Sequence, residues 1–336
     1  MKKTVFYLLS AAALPVLFVS CGDDDEGGSY KASATVIETT SGDKLQVTRM
    51  GKNYYGYDDD GMLDYLAVSG DEYEVNGNGT KFSISDGDYE ETIQLSYNGS
   101  GYISSMTCKE TEDDDDDYSW SCSESASYSY DGSGHLTKIS YSGSETEVYD
   151  GEKDSYTYSG SITLTWSDGV ITKYVHSDKG SDGYTEVDTY EFDYNDGQYP
   201  NAYNQFSPSS LGCGYDLLGL VFSYIGLNGK GPDYLPVTVD YTEVWVDEDG
   251  DEDNYSSSSS YKYSFNSDGT IYYQCTSKGK SYYYFDYEDF DSSSADGKAA
   301  TVTTSSESLT PARTVHRSMF SKLANRRHQA SASVAE

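Results

Sequence analysis

Apolar and polar residues alternate with a period of two along most of the chain from Tyr30 to Phe290. The alternation is clearest in five segments: Ile93/Leu95/Tyr97, Ile162/Leu164/Trp166, Tyr190/Phe192/Tyr194, Val237/Val239/Tyr241 and Tyr261/Tyr263/Phe265. The residues between these positions are mostly Ser, Thr, Asp and Glu. Because successive side chains of a strand point to opposite faces, the pattern predicts strands with one packed face and one solvated face.

A turn motif recurs where these strands end. It consists of an aromatic residue, a short polar turn, a glycine and an apolar residue that begins the next strand. The glycines are Gly61, Gly101, Gly134, Gly169 and Gly269. Glycine accepts a positive φ at such a place without steric cost, so the motif predicts hairpins. The fold class that follows is all-β: a long antiparallel meander, strongly curved or partly closed like a barrel. The sequence leaves open whether the sheet closes.

One segment breaks the alternation. Residues 217–227 form a dense apolar run that is too short to cross a bilayer. We expect a short helix or a buried loop that plugs the curled sheet. A patch that dips into a membrane or binds a partner is the alternative.

The beginning of the chain has the features of an export signal. Lys2 and Lys3 precede an apolar stretch from Val5 to Val19, and Ser20 stands directly before Cys21. This stretch is too short for a spanning helix and is typical of a cleaved signal segment. We therefore predict a lipoprotein signal peptide at 1–20, lipidation of Cys21 as the link to the membrane, and an acidic tether at 21–29.

The resemblance to a known family rests on three features: the turn motif, the beginning of the chain and one further stretch. The repeated Tyr-Asp-x-x-Gly-x-Leu/Ile units resemble the YD-type repeat of secreted bacterial proteins. With the lipoprotein start and the stretch from Asn204–Pro208 to Leu235–Pro236, they resemble a Bacteroides-type surface lipoprotein family of uncharacterised function. The resemblance covers roughly residues 30–290. It implies a porin-like β-meander and, from the acidic run after Cys21, an outer-membrane lipoprotein exposed at the surface. It implies no activity.

The charge excludes one class of partner. Lys and Arg number 22 against 57 Asp and Glu, a net charge of −35. Most of this charge lies in the predicted β-meander domain, 30–291. The segment 292–336 is basic, of low complexity and without tyrosine, so we expect disorder there, with a basic amphipathic helix as the alternative. A body of this charge repels nucleic acid.

The cysteines other than Cys21 offer two interpretations. Cys108 and Cys122 flank an acidic stretch, and both fall at even positions, as do Met106 and Trp120. Across a hairpin these side chains face the same side, which would permit a disulfide between the two cysteines in an oxidising compartment. Two buried free thiols are the other interpretation.

No residue pattern indicates a catalytic, cofactor or metal site. His135 and His176 stand among polar residues, and we interpret both as solvated surface histidines. The acidic run 247–253 lacks the glycine and the closing glutamate of a calcium-binding EF-type loop. We interpret it as a solvated hairpin tip.

Aromatic residues provide the candidate binding site. The chain has 36 tyrosines, and its last strands carry them on both faces. Rings on a solvated face suit stacking on the sugar rings of a polymer, so Tyr272, Tyr282 and Tyr284 are the candidate stacking residues. We expect a non-enzymatic binding or accessory protein whose partner is a glycan or an envelope protein. The alternatives are a structural envelope or adhesin-like component and, third, a polysaccharide hydrolase.

Overall fold

The computed structural model describes most of the predicted β-meander. The described residues are 36–39, 42–51, 53–58, 61, 63–68, 71–75, 80–86, 89–114, 118–149, 151–197, 199–203, 227–247, 249–276 and 282–289. The signal segment with Cys21, the tether, the apolar run up to Gly226 and the basic tail lie outside them. What the sequence predicts for those segments therefore stays a prediction.

The described part of the chain forms seventeen strands, every one paired antiparallel to its neighbours. They are β1 (Val36–Glu38), β2 (Lys44–Met50), β3 (Asn53–Tyr57), β4 (Leu63–Val68), β5 (Asp71–Val75), β6 (Lys81–Asp86), β7 (Tyr89–Tyr97), β8 (Ile103–Asp114), β9 (Tyr118–Tyr130), β10 (Leu136–Tyr149), β11 (Glu152–Ser167), β12 (Val170–Gly180), β13 (Thr185–Asp193), β14 (Thr238–Val246), β15 (Glu252–Phe265), β16 (Ile271–Thr276) and β17 (Tyr282–Asp289). The helical structure in the same residues is a single 3₁₀ turn, Asn195–Gly197. No helix among them is long and apolar enough to span a bilayer.

The sheet is a closed barrel of sixteen strands. Each strand from β2 to β17 pairs with the next along the chain, and β17 returns to pair with β2, with Phe285 opposite Met50 and Asp289 opposite Leu45. The short strand β1 pairs with the other edge of β2, where Ile37 lies opposite Leu45. The predicted all-β, barrel-like fold is confirmed, and the question that the sequence left open is answered in favour of closure.

The five glycines of the recurring motif lie together at one end of the barrel, the glycine-turn end. All five have positive φ, between 76° at Gly61 and 89° at Gly269, as the motif predicts. They occupy the connections β3–β4, β7–β8, β9–β10, β11–β12 and β15–β16. Alternate connections of a meander lie at the same end, so the hairpins that follow an even-numbered strand form the opposite, far end.

The long connection between β13 and β14 runs along the glycine-turn end. Its described part, 227–237, makes backbone hydrogen bonds with one hairpin after another: Ile103 N to Leu227 O (2.9 Å), Lys230 N to Gly134 O (2.8 Å), Asp233 N to Gly169 O (2.9 Å) and Val237 N to Asp193 O (2.7 Å). Two residues of this segment, Leu227 and Leu235, are fully buried. This segment therefore covers the core at that end.

The two faces of the wall differ as the alternation predicts. The inward face carries one contiguous cluster of buried aliphatic and aromatic side chains, contributed by strands all around the barrel. The outward face is hydroxylic and charged. In β9 the exposed positions are Ser121, Ser123, Ser125, Ser127 and Ser129, and the positions between them are buried or half-buried. Burial of the apolar face is the main stabilising contribution to such a sheet.

Two glycines inside strands let tyrosine rings lie flat on the inner wall. Gly160 pairs with Tyr141, and Gly143 pairs with Tyr158. A Cβ would lie 2.1 Å from the Tyr141 hydroxyl oxygen at Gly160 and 2.2 Å from the Tyr158 ring at Gly143. Glycine in a strand often marks such a close approach, and a ring across it replaces the missing side-chain packing. Each ring thereby crosses a neighbouring strand and places its hydroxyl against the next one.

Substitution of Gly160 by alanine tests this arrangement. The new Cβ would meet the Tyr141 hydroxyl and, at 2.5 Å, the backbone carbonyl of Ser177. We expect the free energy of unfolding to fall by about 1–3 kcal/mol, as for overpacked cores, in a urea titration. Gly132→Ala is the matched control, because nothing lies within 4 Å of its Cβ position and its φ is not positive. Equal stability of the two variants would contradict the assignment.

Candidate functional site

The outward face has one concentration of exposed aromatic rings. Tyr272 and Tyr284 are 47% and 43% exposed, and Tyr54 and Tyr65 are 46% and 37% exposed. They lie on β16, β17, β3 and β4, which together with β2 are five consecutive strands of the barrel. With the partly exposed Tyr273 these residues form a surface that we call the tyrosine arc. Five strands span about 19 Å, given about 4.8 Å between neighbours.

A β-bulge creates the densest part of the arc. Ser264 pairs with Tyr273, but Phe265 pairs with Ile271, so Tyr272 has no cross-strand partner. Ile271 and Gln274 are both buried, which leaves Tyr272 and Tyr273 together on the outward face. Bulges re-aim side chains in this way. The Tyr272 ring lies edge-on to those of Tyr273 and Tyr284, at centroid distances of 5.8 and 6.2 Å.

Tyr272, Tyr282 and Tyr284 are the stacking residues expected from the sequence. The structure places Tyr272 and Tyr284 on the solvated face, as that interpretation requires, although no ligand tests their role. Tyr282 begins β17 and pairs with Cys275, but its side chain lies outside the described part. Tyr54 and Tyr65 were missed, because in the sequence they stand more than 200 residues from Tyr272.

Arg49 supplies a charged group in the middle of the arc. On β2 it is opposite both Tyr54 on β3 and Asp286 on β17. Its guanidinium carbon is 5.4 Å from the Tyr54 ring centroid, and Nη1 is 3.5 Å from Asp286 Oδ2. Cation–π stacking and the ion pair hold the guanidinium plane against the sheet. The side chains of Arg49 and Asp286 remain partly exposed and can hydrogen-bond to hydroxyl groups of a ligand.

The inward face carries a second set of polar groups, joined by hydrogen bonds. The Tyr141 hydroxyl lies 2.6 Å from His176 Nε2 and donates to Asp178 Oδ1 at 3.2 Å. His176 Nδ1 is 3.2 Å from Asp188 Oδ2, and the Tyr241 hydroxyl donates to Asp188 Oδ1 at 2.8 Å. We call these five residues the inner network. Burial and the neighbouring Asp178 carboxylate raise the pKa of Tyr141 well above its usual range, so its hydroxyl stays protonated.

The interpretation of both histidines as solvated was wrong. His176 is 5% exposed, because its position in β12 faces the barrel interior between Tyr174 and Asp178. His135 is also buried: its ring stacks on Trp166 at 4.2 Å, and its Nδ1 lies 3.0 Å from Asp131 Oδ2. The polar residues next to each histidine in the sequence point outward from a strand or belong to a turn, and they do not describe the surroundings of the histidine ring. The period-two pattern itself was the signal that could have placed His176 inside.

Both cysteines of the predicted pair face the barrel interior. Cys108 is opposite Glu124, and Cys122 is opposite Glu110, so the two thiols are diagonal neighbours across β8 and β9. Both thiols are free and buried in the structure. Cys108 Sγ lies 3.6 Å from Glu91 Oε1 and from Glu110 Oε1. Burial, reinforced by the acidic neighbours, raises the pKa of both thiols. The disulfide stays a prediction.

Glu110 is a buried carboxyl group whose pKa is strongly raised. It is 2% exposed and lies beside Glu91, and the Tyr89 hydroxyl is 3.4 Å from its Oε2. Burial, together with the Glu91 charge, raises its pKa from 4.5 to about 8. The folded protein therefore holds a proton on Glu110 at neutral pH.

Two solved structures are similar to the chain. A porin-like protein from Bacteroides vulgatus has 13% sequence identity and a TM-score of 0.46, with 77% of this chain and 99% of that chain covered. A porin-like protein from Bacteroides uniformis has 15% identity and a TM-score of 0.40, with 76% and 94% covered. No protein-family model matches the chain, and no curated protein matches it.

The pKa of Glu110 predicts how stability depends on pH. Between pH 4.5 and pH 8 the unfolded chain loses the Glu110 proton while the folded chain keeps it, so the free energy of unfolding falls as pH rises. The expected loss is about 1.4 kcal/mol per pH unit within this window. Glu110→Gln should remove this dependence in urea titrations at pH 4.5, 6 and 8. Glu90→Gln, at an exposed position of β7, should leave it unchanged. A wild-type profile that Glu110→Gln does not alter would contradict the assignment.

Proposed function

We propose that this protein is a surface lipoprotein that binds an extended, uncharged polysaccharide along the tyrosine arc. One observation supports the assignment more than any other. Among the side chains that the structure describes, seven tyrosines are exposed by 36% or more. Four of them lie on the five adjacent strands of the arc, and the others are Tyr149, Tyr234 and Tyr255. A row of rings on a firm sheet suits an extended polymer, which can be contacted at several rings in succession.

The chemistry of the arc favours sugars over other extended ligands. Tyrosine offers a flat apolar face for the C–H surface of a sugar ring and a hydroxyl for its polar edge. Arg49 and Asp286 add a donor group and an acceptor group between Tyr284 and Tyr54. With 57 acidic and 22 basic residues, the protein repels anionic polymers. Neutral polysaccharides are therefore the preferred class of ligand. Stacking needs no nucleophile, and the proposal assigns no bond cleavage to the arc.

The barrel is held on the membrane by lipid and does not cross it. A spanning barrel needs an outward apolar band about 25 Å tall. Long stretches of the outward face carry hydroxyl and charged groups instead. In β9 the exposed positions are serines, and in β15 Ser256, Ser258, Ser260 and Lys262 are exposed. The apolar residues face inward, which suits a barrel surrounded by water. Attachment through Cys21 then accounts for an outer-membrane location.

Truncation of the arc tests the binding function. Tyr54→Ala and Tyr284→Ala should each weaken binding to a neutral polysaccharide about tenfold, and the double variant by more. The loss follows from the removal of one stacking surface in each case. Affinity electrophoresis or calorimetry across a panel of neutral and acidic plant and host polysaccharides measures the effect.

Tyr149→Ala is the matched control, because this ring is 65% exposed but lies at the far end of β10, away from the arc. It should bind like the wild type. Absence of binding to every polysaccharide in the panel would reject the proposal. Equal losses in Tyr149→Ala and Tyr54→Ala would show that the arc has no special role.

Replacement of Cys21 tests the attachment. Cys21→Ala should abolish incorporation of labelled fatty acid and release the protein from the membrane fraction, whereas Cys275→Ala should change neither. Protease added to whole cells should degrade the wild-type barrel if it faces outward. Fatty-acid labelling that survives Cys21→Ala would contradict the predicted anchor.

A further inference from the structure

A group of carboxylates on the inward face, separate from the tyrosine arc, has the composition of a cation site. Glu186 and Asp188 lie on β13, and Glu243 lies on β14 directly opposite Asp188. One carboxylate oxygen of each residue lies within 4.8 Å of the others. Like charges directly opposite on neighbouring strands destabilise a sheet, and a bound cation would remove the repulsion between these carboxylates.

A second observation at the same place points to a ligand. Asp178 is 3% exposed and pairs across β12 and β13 with Glu186. Its Oδ1 accepts a hydrogen bond from Tyr141, but its buried Oδ2 has no hydrogen-bond partner in the described part of the chain. An unsatisfied buried carboxylate oxygen is costly, and a hydrogen bond from a water molecule on a neighbouring cation would remove that cost.

The carboxylates are held in position and can be reached from solvent. The Tyr241 hydroxyl is 2.8 Å from Asp188 Oδ1 and 3.0 Å from Glu243 Oε2, and the Tyr184 hydroxyl donates to Glu186. Glu186 and Glu243 are only partly buried. Tyr255, opposite Glu243 on β15, is 58% exposed, which gives a route from the far end of the barrel.

We propose that Glu186, Asp188 and Glu243 bind a calcium ion inside the barrel wall, next to Asp178. The donor set is all oxygen, which selects a hard cation. Calcium accepts six to eight oxygens in irregular geometry, whereas magnesium demands a near-ideal octahedron. The ion neutralises three adjacent carboxylates and ties β13 to β14 where the wall approaches the far end.

Thermal unfolding of the full-length protein tests the site. After treatment with a chelator, saturating calcium chloride should raise Tm by roughly 5 °C, and magnesium chloride should raise it by less. The double variant Glu186→Gln/Glu243→Gln should lose the calcium-dependent rise. Without calcium it should be as stable as the wild type or more stable, because the repulsion is removed. Glu191→Gln, on the outward face of β13 beside Lys173, is the matched control and should keep the full rise.

Terbium luminescence provides a measurement that does not depend on stability. Excitation of tyrosine should sensitise a terbium ion bound beside Tyr241, and calcium should displace it with a stoichiometry of one. Asp178→Asn should weaken that binding and can be used if the double variant does not fold. Equal calcium effects in the wild type, the double variant and Glu191→Gln would show general counterion binding and overturn the proposal. No effect of calcium on the wild type would also overturn it.

Discussion

The pairing of β17 with β2 is the contact on which the rest of the structure depends. A sheet of sixteen strands has an inside only when its first and last strands meet, and here Phe285 and Met50, both almost fully buried, lie opposite each other at that junction. Closure removes the two exposed sheet edges, which are otherwise liable to pair with other chains. It also turns the apolar side of every hairpin into a common core.

The same junction assembles the proposed binding surface. Tyr272 and Tyr284 come from the last two strands, whereas Tyr54 and Tyr65 come from the beginning of the domain. Arg49, on the strand that closes the ring, lies between the two groups and contacts one member of each side, Asp286 and Tyr54. A change that opened the barrel would therefore divide the arc as well as expose the core, and stability and binding are linked at this place.

Inside the wall, two glycine positions decide where the polar groups meet. Gly160 allows the Tyr141 ring to cross β11 and reach His176 on β12, and Gly143 allows the Tyr158 ring to cross β10. The Tyr158 hydroxyl then contacts Cys122 and Glu124 on β9. Tyrosines that lie flat in this way satisfy buried polar side chains over a width of three strands. The interior can therefore hold carboxylates, a histidine and thiols next to an apolar core.

The strands, the hairpins and the two faces of the wall can be predicted from the amino-acid sequence, because alternation and turn glycines act between near neighbours. The positive φ at Gly61, Gly101, Gly134, Gly169 and Gly269 and the buried positions of β9 and β11 follow from local patterns. Barrel closure and the meeting of Tyr54 with Arg49 and Asp286 follow from the tertiary structure alone. The last of these needs strands from both ends of the domain, and no local pattern encodes such a contact. The bulge that turns Tyr272 outward likewise depends on its register against β15.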